Sequence, residues 1–146
     1  MDGVIVDTKT AVKEAYRQAG VEMPDDCWGK PYHEWCSEEV HELKKQYYPE
    51  CLQKYGEKLP IADLARSENS WLLTSASKEA IEAVFDLLGF RIPILGYSVT
   101  LEQKIKRLNN IDGLVIYYED NPEKAREINS RSKTTVMLVS GCDEKS

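Results

Sequence analysis

The sequence predicts an α/β protein in which a helical segment precedes a core built on a parallel β-sheet. Up to about Arg66 the apolar residues recur at helical spacing, and beyond it short apolar runs alternate with helical stretches. These runs are rich in Val, Ile and Leu, which is typical of strands buried on both faces of a parallel sheet. We therefore expect a helical module followed by alternating strands and helices.

Helical spacing in the first part of the chain predicts a small bundle. The second helix is expected to bury a stripe that begins at Cys36. Pro49 and Gly56 are expected to bracket a shorter helix, and Pro60 to start another. The residues expected to face inward are Ala11, Val12, Ala15, Tyr16 and Ala19, then Cys36, Val40, Leu43 and Tyr47, then Cys51, Leu52 and Tyr55, and finally Ile61, Leu64 and Ala65.

The second part of the chain carries local signals for three helices. One is closed by Gly89, a second begins with Thr100 and Gln103 in capping-box spacing, and the third begins at Asn121-Pro122. Between them lie apolar segments rich in β-branched and aromatic residues. The expected elements are strands at residues 71–74, 92–95, 114–118 and 135–139, and a first helix from Lys78 to Leu88.

Polar residues follow these strands where a parallel sheet binds its ligands, outside the carboxyl ends. Ser75 lies at a strand exit, where a hydroxyl and the free backbone N–H groups of a helix start can hold phosphate. Ser77 is explained equally well as the cap of the next helix. Glu119 and Asp120 suit Mg²⁺, which prefers oxygen ligands, or else they cap the helix that follows.

Composition limits the classes of partner. A formal charge of −6 disfavours nucleic acid and acidic membrane surfaces. The cysteines form no C-x-x-C pair, which argues against a zinc site or a disulfide scaffold and favours a reducing cytosol. The chain lacks an apolar stretch of roughly 18 residues and a basic signal region, so we expect a cytoplasmic protein without a membrane segment.

The opening residues 1–8, MDGVIVDT, resemble the second half of the first motif of haloacid dehalogenase-like (HAD) phosphohydrolases. That motif is a hydrophobic strand leading to Asp-x-Asp-Gly-Val, then hydrophobic residues, Asp, and Thr or Ser. Residues 73–78, LTSASK, are similar to the second motif of β-phosphoglucomutases, and Glu119-Asp120 resembles their acidic fourth motif. Lys104 falls where the family keeps its third-motif lysine. The chain thus resembles the β-phosphoglucomutase and phosphoglycolate phosphatase branch over nearly its whole length.

The resemblance implies a Rossmannoid, three-layer parallel-sheet core formed by residues 1–7 and 67–146. A small α-helical cap, residues 8–66, would be inserted after the first motif, where it would exclude water and admit substrate. The implied activity is Mg²⁺-dependent hydrolysis of a small phosphorylated metabolite through an aspartyl-phosphate. Within the cap, Arg17, Lys30 and His33 are polar residues that could reach a substrate, although solvation is the simpler role for each.

The resemblance implies a chemical role for each residue of this sequence that matches a family motif. Asp2 matches the second aspartate of the first motif, the general acid and then base, whose backbone carbonyl also helps to bind Mg²⁺. Ser75 and the N–H groups after it would hold the phosphoryl oxygens, with Thr74 as the alternative hydroxyl. The implied site comprises Asp2 and Lys104 as catalytic groups, Thr74, Ser75 and Ala76 as phosphate contacts, and Asp2, Glu119 and Asp120 as metal ligands.

Two features depart from the family pattern. The nucleophilic aspartate would stand immediately before Met1, after an apolar strand that is usually the central one. An internal Met codon read as the start, or a fragmentary gene, would give this sequence, and so would a short form that uses Val4 to Val6 as a replacement strand. The family's Lys-Pro dipeptide is also missing between Gly96 and Leu101, so Lys106 is an alternative to Lys104.

Two other interpretations remain at this point. A phosphatase-like binding protein without turnover would keep the metal and phosphate contacts, and the position of the nucleophile favours it. A flavodoxin-like or response-regulator-like domain would share the parallel strands and acidic loops, but it does not predict a helical segment at the N-terminus.

Overall fold

The computed structural model describes residues 1, 3–28, 30–66 and 69–139. Over these residues the chain is a mixed α/β protein with six α-helices and six short strands. The helices are α1 (Lys9–Gln18), α2 (Glu38–Tyr55), α3 (Ile61–Leu64), α4 (Lys78–Leu88), α5 (Leu101–Asn109) and α6 (Pro122–Arg131), and the strands are β1 (Val6–Asp7), β2 (Glu57–Lys58), β3 (Leu72–Leu73), β4 (Ile94–Gly96), β5 (Ile116–Glu119) and β6 (Thr135–Leu138).

The longest helix, α2, runs through Pro49 instead of ending there. The prediction that Pro49 starts a separate helix was wrong. A proline inside a helix removes one backbone hydrogen bond, at a cost of roughly 3 kcal/mol. Burial of Cys51 and Leu52 beyond the proline, where α2 packs against α1 and α4, offsets that cost.

The inner face of α2 differs from the predicted one. Leu43 is 40% exposed, whereas Tyr48, Cys51 and Leu52 are buried. Cys36 precedes the helix, which begins after Ser37, whose hydroxyl accepts from the Val40 N–H at 3.3 Å. The buried residues of α2 therefore begin further along the chain than periodicity alone suggested.

In contrast, the predicted ends of the later helices are confirmed. Gly89 ends α4 in the left-handed conformation, with φ of +81°. Ser77 caps α4 by accepting from Ala80, Thr100 and Gln103 form the reciprocal capping box of α5, and Asn121 accepts from two N–H groups at the start of α6. Local sequence therefore defines these ends.

The described strands form three separate two-stranded sheets instead of one continuous sheet. β3 pairs with β4 and β5 with β6, both in parallel, so the parallel pairing expected from sequence is present in part. β1 pairs with β2 in antiparallel orientation. Residues 3–5 form a turn closed by the Gly3 N–H on the Val6 carbonyl at 2.8 Å. Among the described residues, Val4 to Val6 therefore do not serve as a strand of the parallel pairs.

The strands are also shorter than expected, with two to four residues each. Pro93 has no N–H to give, and only its carbonyl bonds to the Leu72 N–H, at 2.8 Å. Leu114, expected to begin a strand, is 89% exposed and precedes β5. Each of these strands is hydrogen-bonded to a single neighbouring strand, which limits how far the ladder extends.

Two hydrophobic clusters meet at β3. Leu72 belongs to a cluster formed with β1, α1, α2 and α4, and Leu73 to a second one with residues of α5 and α6. Successive residues of a strand point to opposite faces, so β3 is covered on both sides. Residues from the ranges 8–66 and 69–139 both contribute to the first cluster. Among the described residues, no helix has the length and apolar character that crossing a membrane requires.

Candidate functional site

The loop after β3 combines one buried and one exposed hydroxyl. Thr74 is buried, and its Oγ1 accepts from the Ala76 N–H at 3.1 Å. The Ser98 N–H donates to the Ala76 carbonyl and the Val99 N–H to the Thr74 carbonyl, which ties this loop to the segment before α5. Ser75 is exposed, so of the two predicted hydroxyls only that of Ser75 is open to a ligand. The Ala76 N–H, a predicted phosphate contact, bonds to Thr74 in this conformation.

The end of β5 carries two crowded carboxylates. Glu119 is buried, and one of its oxygens accepts from the Asn121 N–H at 3.2 Å. Burial raises the pKa of Asp120 to about 6, and the hydrogen bond and negative charge of Glu119 add to this effect. The N-terminal amino group acts in the opposite direction. A proton or a cation is therefore favoured at this pair.

The N-terminal turn lies directly against these carboxylates. A Cβ built on Gly3, whose φ is +74°, would stand 2.0 Å from Asp120 Oδ2, a distance that no real contact allows. Any other residue would displace the Asp120 carboxylate, and the positive φ itself favours glycine. Asp2, the predicted general acid and metal ligand, lies outside the described residues, but its neighbour Gly3 is packed on Asp120.

Lys104 is buried to an unusual degree for a lysine, with 7% of its surface exposed. Its Nζ stands 5.9 Å from the centroid of the Tyr117 ring. Lys106, the alternative from sequence, is exposed. Of the two lysines, Lys104 is therefore the one that α5 turns toward the protein interior, on the side of β5.

Sequence reasoning missed Tyr117. Its hydroxyl donates to the Leu73 carbonyl at 3.5 Å, connecting β5 to β3. Burial raises the pKa of Tyr117, as do the negative charges of Glu119 and Asp120, so the phenol stays protonated. Its position two residues before Glu119 could have indicated it, because residues two apart lie on the same face of a strand.

The two described carboxylates suit a hard cation in part. Mg²⁺ is commonly held by one or two carboxylates and keeps several waters, and the pKa of Asp120 is raised by burial first and by its neighbour Glu119 second. Within the described residues there is no group of three or more His, Cys, Asp or Glu side chains arranged to hold a metal. Of the three predicted ligands, Glu119 and Asp120 lie within the described residues, and their role as metal ligands stays a prediction.

The three polar residues that the sequence suggested as substrate contacts are exposed or have partners within the helical segment. Arg17 forms an exposed ion pair with Glu14 one helical turn away. Lys30 and His33 are exposed, and the His33 ring lies 5.9 Å from that of Tyr32. Solvation, the simpler role, agrees with these positions.

The chain matches no protein-family model, and it shows no significant similarity to a curated protein or to a solved structure. Its function is therefore interpreted from the geometry of its own residues.

Proposed function

We propose that the chain carries the site of a HAD-like, Mg²⁺-dependent phosphomonoester hydrolase. The observation that supports this most directly is the contact between Gly3 and Asp120. It brings the segment that resembles the first motif onto the acidic pair that resembles the fourth. If these two short segments resembled the family motifs only by chance, there would be no reason for them to lie in contact in the fold.

The fold is compatible with this proposal. Both parallel pairs end at predicted site residues, with Thr74 and Ser75 after β3 and Glu119 at the end of β5. Helices α4 and α5 follow β3 and β4, as in βαβ units. We propose that the finer architecture is the Rossmannoid core of the family, with residues 8–66 as its helical cap.

In this proposal each residue has a separate chemical role. Ser75 donates its hydroxyl to a phosphoryl oxygen, and Lys104 neutralises the charge that develops on the phosphoryl group. Asp2 protonates the leaving alkoxide and then removes a proton from the hydrolytic water. Glu119 and Asp120 would hold Mg²⁺, which would supply positive charge to stabilise the phosphoryl group.

The nucleophile in this scheme is an aspartate directly before Met1. It attacks phosphorus, the bond to the alkoxide breaks, and the proton from Asp2 goes to the leaving oxygen. Water then attacks the aspartyl-phosphate, and Asp2 takes the proton of that water. Phosphate and the original carboxylate are released.

The test is hydrolysis of p-nitrophenyl phosphate with Mg²⁺. We would compare the chain with a form that carries an apolar strand ending in Asp directly before Met1, and use the same extension ending in Asn as a matched control. We expect turnover in the Asp form, loss of turnover with EDTA, and none in the Asn form. In the active form, Asp2→Asn should lower kcat by a factor of about 10² to 10⁴.

The other outcomes identify different functions. Hydrolysis by the chain without an extension would mean that the nucleophile is assigned to the wrong residue. Folded protein that binds phosphate but turns over nothing in either form would favour the non-catalytic binding protein. Folded protein that neither binds nor hydrolyses would contradict the proposal altogether.

A further inference from the structure

Tyr117 lies at the centre of the proposed site without belonging to any of the predicted motifs. It is the second residue of β5 and pairs in register with Val136 of β6. Its side chain lies on the same face of the strand as that of Glu119 and packs in the second hydrophobic cluster. Tyr118, the next residue, points to the other face and packs against the first cluster.

The hydroxyl of Tyr117 connects two elements that no sheet hydrogen bonds join. It stands 3.5 Å from the Leu73 carbonyl, and because a carbonyl can only accept, the phenol must be the donor. Leu73 directly precedes Thr74, whose own hydroxyl orders the loop that carries Ser75. The bond thus fixes the exit of β3 relative to β5.

The ring of Tyr117 meets a second group of the site. Lys104 Nζ stands 5.9 Å from the ring centroid, within the range in which the negative face of an aromatic ring attracts a cation. Lys104 is almost fully buried, so solvent screens this attraction only weakly. One side chain therefore contacts both the lysine of α5 and the end of β3.

We propose that Tyr117 is a positioning residue, which holds Lys104 and the Ser75 loop at a fixed distance from the Glu119–Asp120 pair. This inference rests on the proposed function, because it assigns Tyr117 to the same phosphate site. Tyr117 itself makes no contact with the phosphoryl group. Its hydroxyl acts through Leu73, and its ring acts through Lys104.

The inference is tested by titrating the 146-residue chain with inorganic phosphate in the presence of Mg²⁺, followed by ³¹P NMR. Tyr117→Phe removes the hydroxyl alone, and we expect roughly three- to tenfold weaker binding, the effect of one neutral hydrogen bond. Tyr117→Leu also removes the ring and should weaken binding further. Tyr118→Phe removes a hydroxyl from the opposite face of the strand and should leave the affinity unchanged.

A spectroscopic readout separates positioning from general stability. The ¹⁵N signal of Lys104 Nζ, assigned by its loss in Lys104→Met, should stay in place in Tyr117→Phe and move in Tyr117→Leu. If Tyr117→Leu fails to fold, the phosphate affinity of Tyr117→Phe decides the question.

Equal phosphate affinity in the unmodified chain and in folded Tyr117→Phe would overturn the inference and leave the proposed function standing. An equal loss in Tyr118→Phe would overturn it as well, because the effect would then be unspecific. If the unmodified, folded chain binds no phosphate, the proposed function fails first, and the inference fails with it.

Discussion

The Tyr16 hydroxyl lies 2.9 Å from His41 Nδ1, and this hydrogen bond joins α1 to α2. Tyr32 stacks on the same imidazole, with 3.7 Å between ring centroids and 4° between planes, and Trp35 meets the Tyr16 ring edge-on at 4.4 Å. Tyr32 and Trp35 belong to the segment between α1 and α2, so their ring contacts attach that segment to both helices. These four residues form what we call the α1–α2 aromatic cluster.

The α1–α2 aromatic cluster should weaken as the pH falls. Burial lowers the pKa of His41, and Lys44 and Lys45 lower it further, against the smaller opposing effects of Glu42 and Glu38. The folded state therefore favours the neutral imidazole. The stability that His41 contributes is complete above its unfolded pKa of about 6.5, and it is lost as the pH falls through the lower folded value.

The measurement is urea unfolding of the unmodified chain and of His41→Phe, which keeps a ring against Tyr32, at intervals from pH 8 to pH 5. We expect the unmodified chain to lose stability relative to His41→Phe below about pH 6.5. Parallel curves for the two proteins would contradict the assignment.

Asp120 should have the opposite pH dependence. Its folded pKa of about 6 lies above the ordinary value of 3.8, so folding favours the protonated form. The stability that this group contributes is complete below pH 3.8 and is lost as the pH rises through about 6. With EDTA present at pH 7.5, Asp120→Asn should therefore be more stable than the unmodified chain.

We expect a gain of about 1 kcal/mol for Asp120→Asn, after allowance for solvent screening of a half-buried group. Urea unfolding at pH 7.5 and pH 4.5 measures it, and the gain should shrink at the lower pH. Asp112→Asn, at an exposed position before β5, is the matched control and should change stability little at either pH. A gain that persists at pH 4.5 would show that the ionised form of the Asp120 carboxyl group is not its cause.

Helix ends that are determined by neighbouring residues could be predicted from sequence almost to the residue. Gly89 ends α4 because the left-handed conformation there suits glycine, and Thr100 and Asn121 begin their helices because their side chains accept from N–H groups two or three residues away. Each of these signals involves a single helix end. None depends on what the helix packs against.

Features that depend on distant parts of the chain could not be predicted in this way. Whether Pro49 ends a helix depends on the burial that α1 and α4 provide, and the same packing leaves Leu43 exposed. The resemblance favoured Lys104 and left Lys106 as an alternative, but sequence spacing could not show which side chain of another element either lysine meets. The ring of Tyr117, which lies 13 residues after Lys104 and is brought by β5, is near the amino group of Lys104.

The close approach of Gly3 to Asp120 predicts a large effect of one added methyl group. Gly3→Ala combines a left-handed backbone, which costs about 1–2 kcal/mol, with a clash against Asp120 that should cost about 1–3 kcal/mol more. Gly113→Ala is the matched control: its φ is +94°, but an added Cβ there meets no atom within 4 Å, so only the backbone cost applies.

A double-mutant cycle identifies the clash. In an Asp120→Ala background the carboxyl group is gone, so Gly3→Ala should cost about as much as Gly113→Ala in urea unfolding. If the cost of Gly3→Ala is the same in both backgrounds, the two residues are not in contact. The structural support for the proposed site, which is the contact between the segment that resembles the first motif and the pair that resembles the fourth, would then fail.

The two lysines of α5 give the most direct test of the site. Lys104→Met keeps an apolar side chain of similar length while it removes the charge, so the packing around α5 should survive. If Lys104 contacts phosphate, removal of this charged donor should weaken phosphate binding roughly 10- to 100-fold. Lys106 is exposed on the same helix, and Lys106→Met should change the affinity less than about twofold, because exposed charges are well screened.

Measuring stability guards against a trivial explanation. Urea unfolding of Lys104→Met, Lys106→Met and the unmodified chain identifies conditions under which all three are fully folded, and phosphate affinities are compared under those conditions. Weaker phosphate binding by folded Lys104→Met, with Lys106→Met unaffected, then comes from the site. If instead Lys106→Met loses the binding and Lys104→Met keeps it, burial has selected the wrong lysine, and the positioning role of Tyr117 fails together with it.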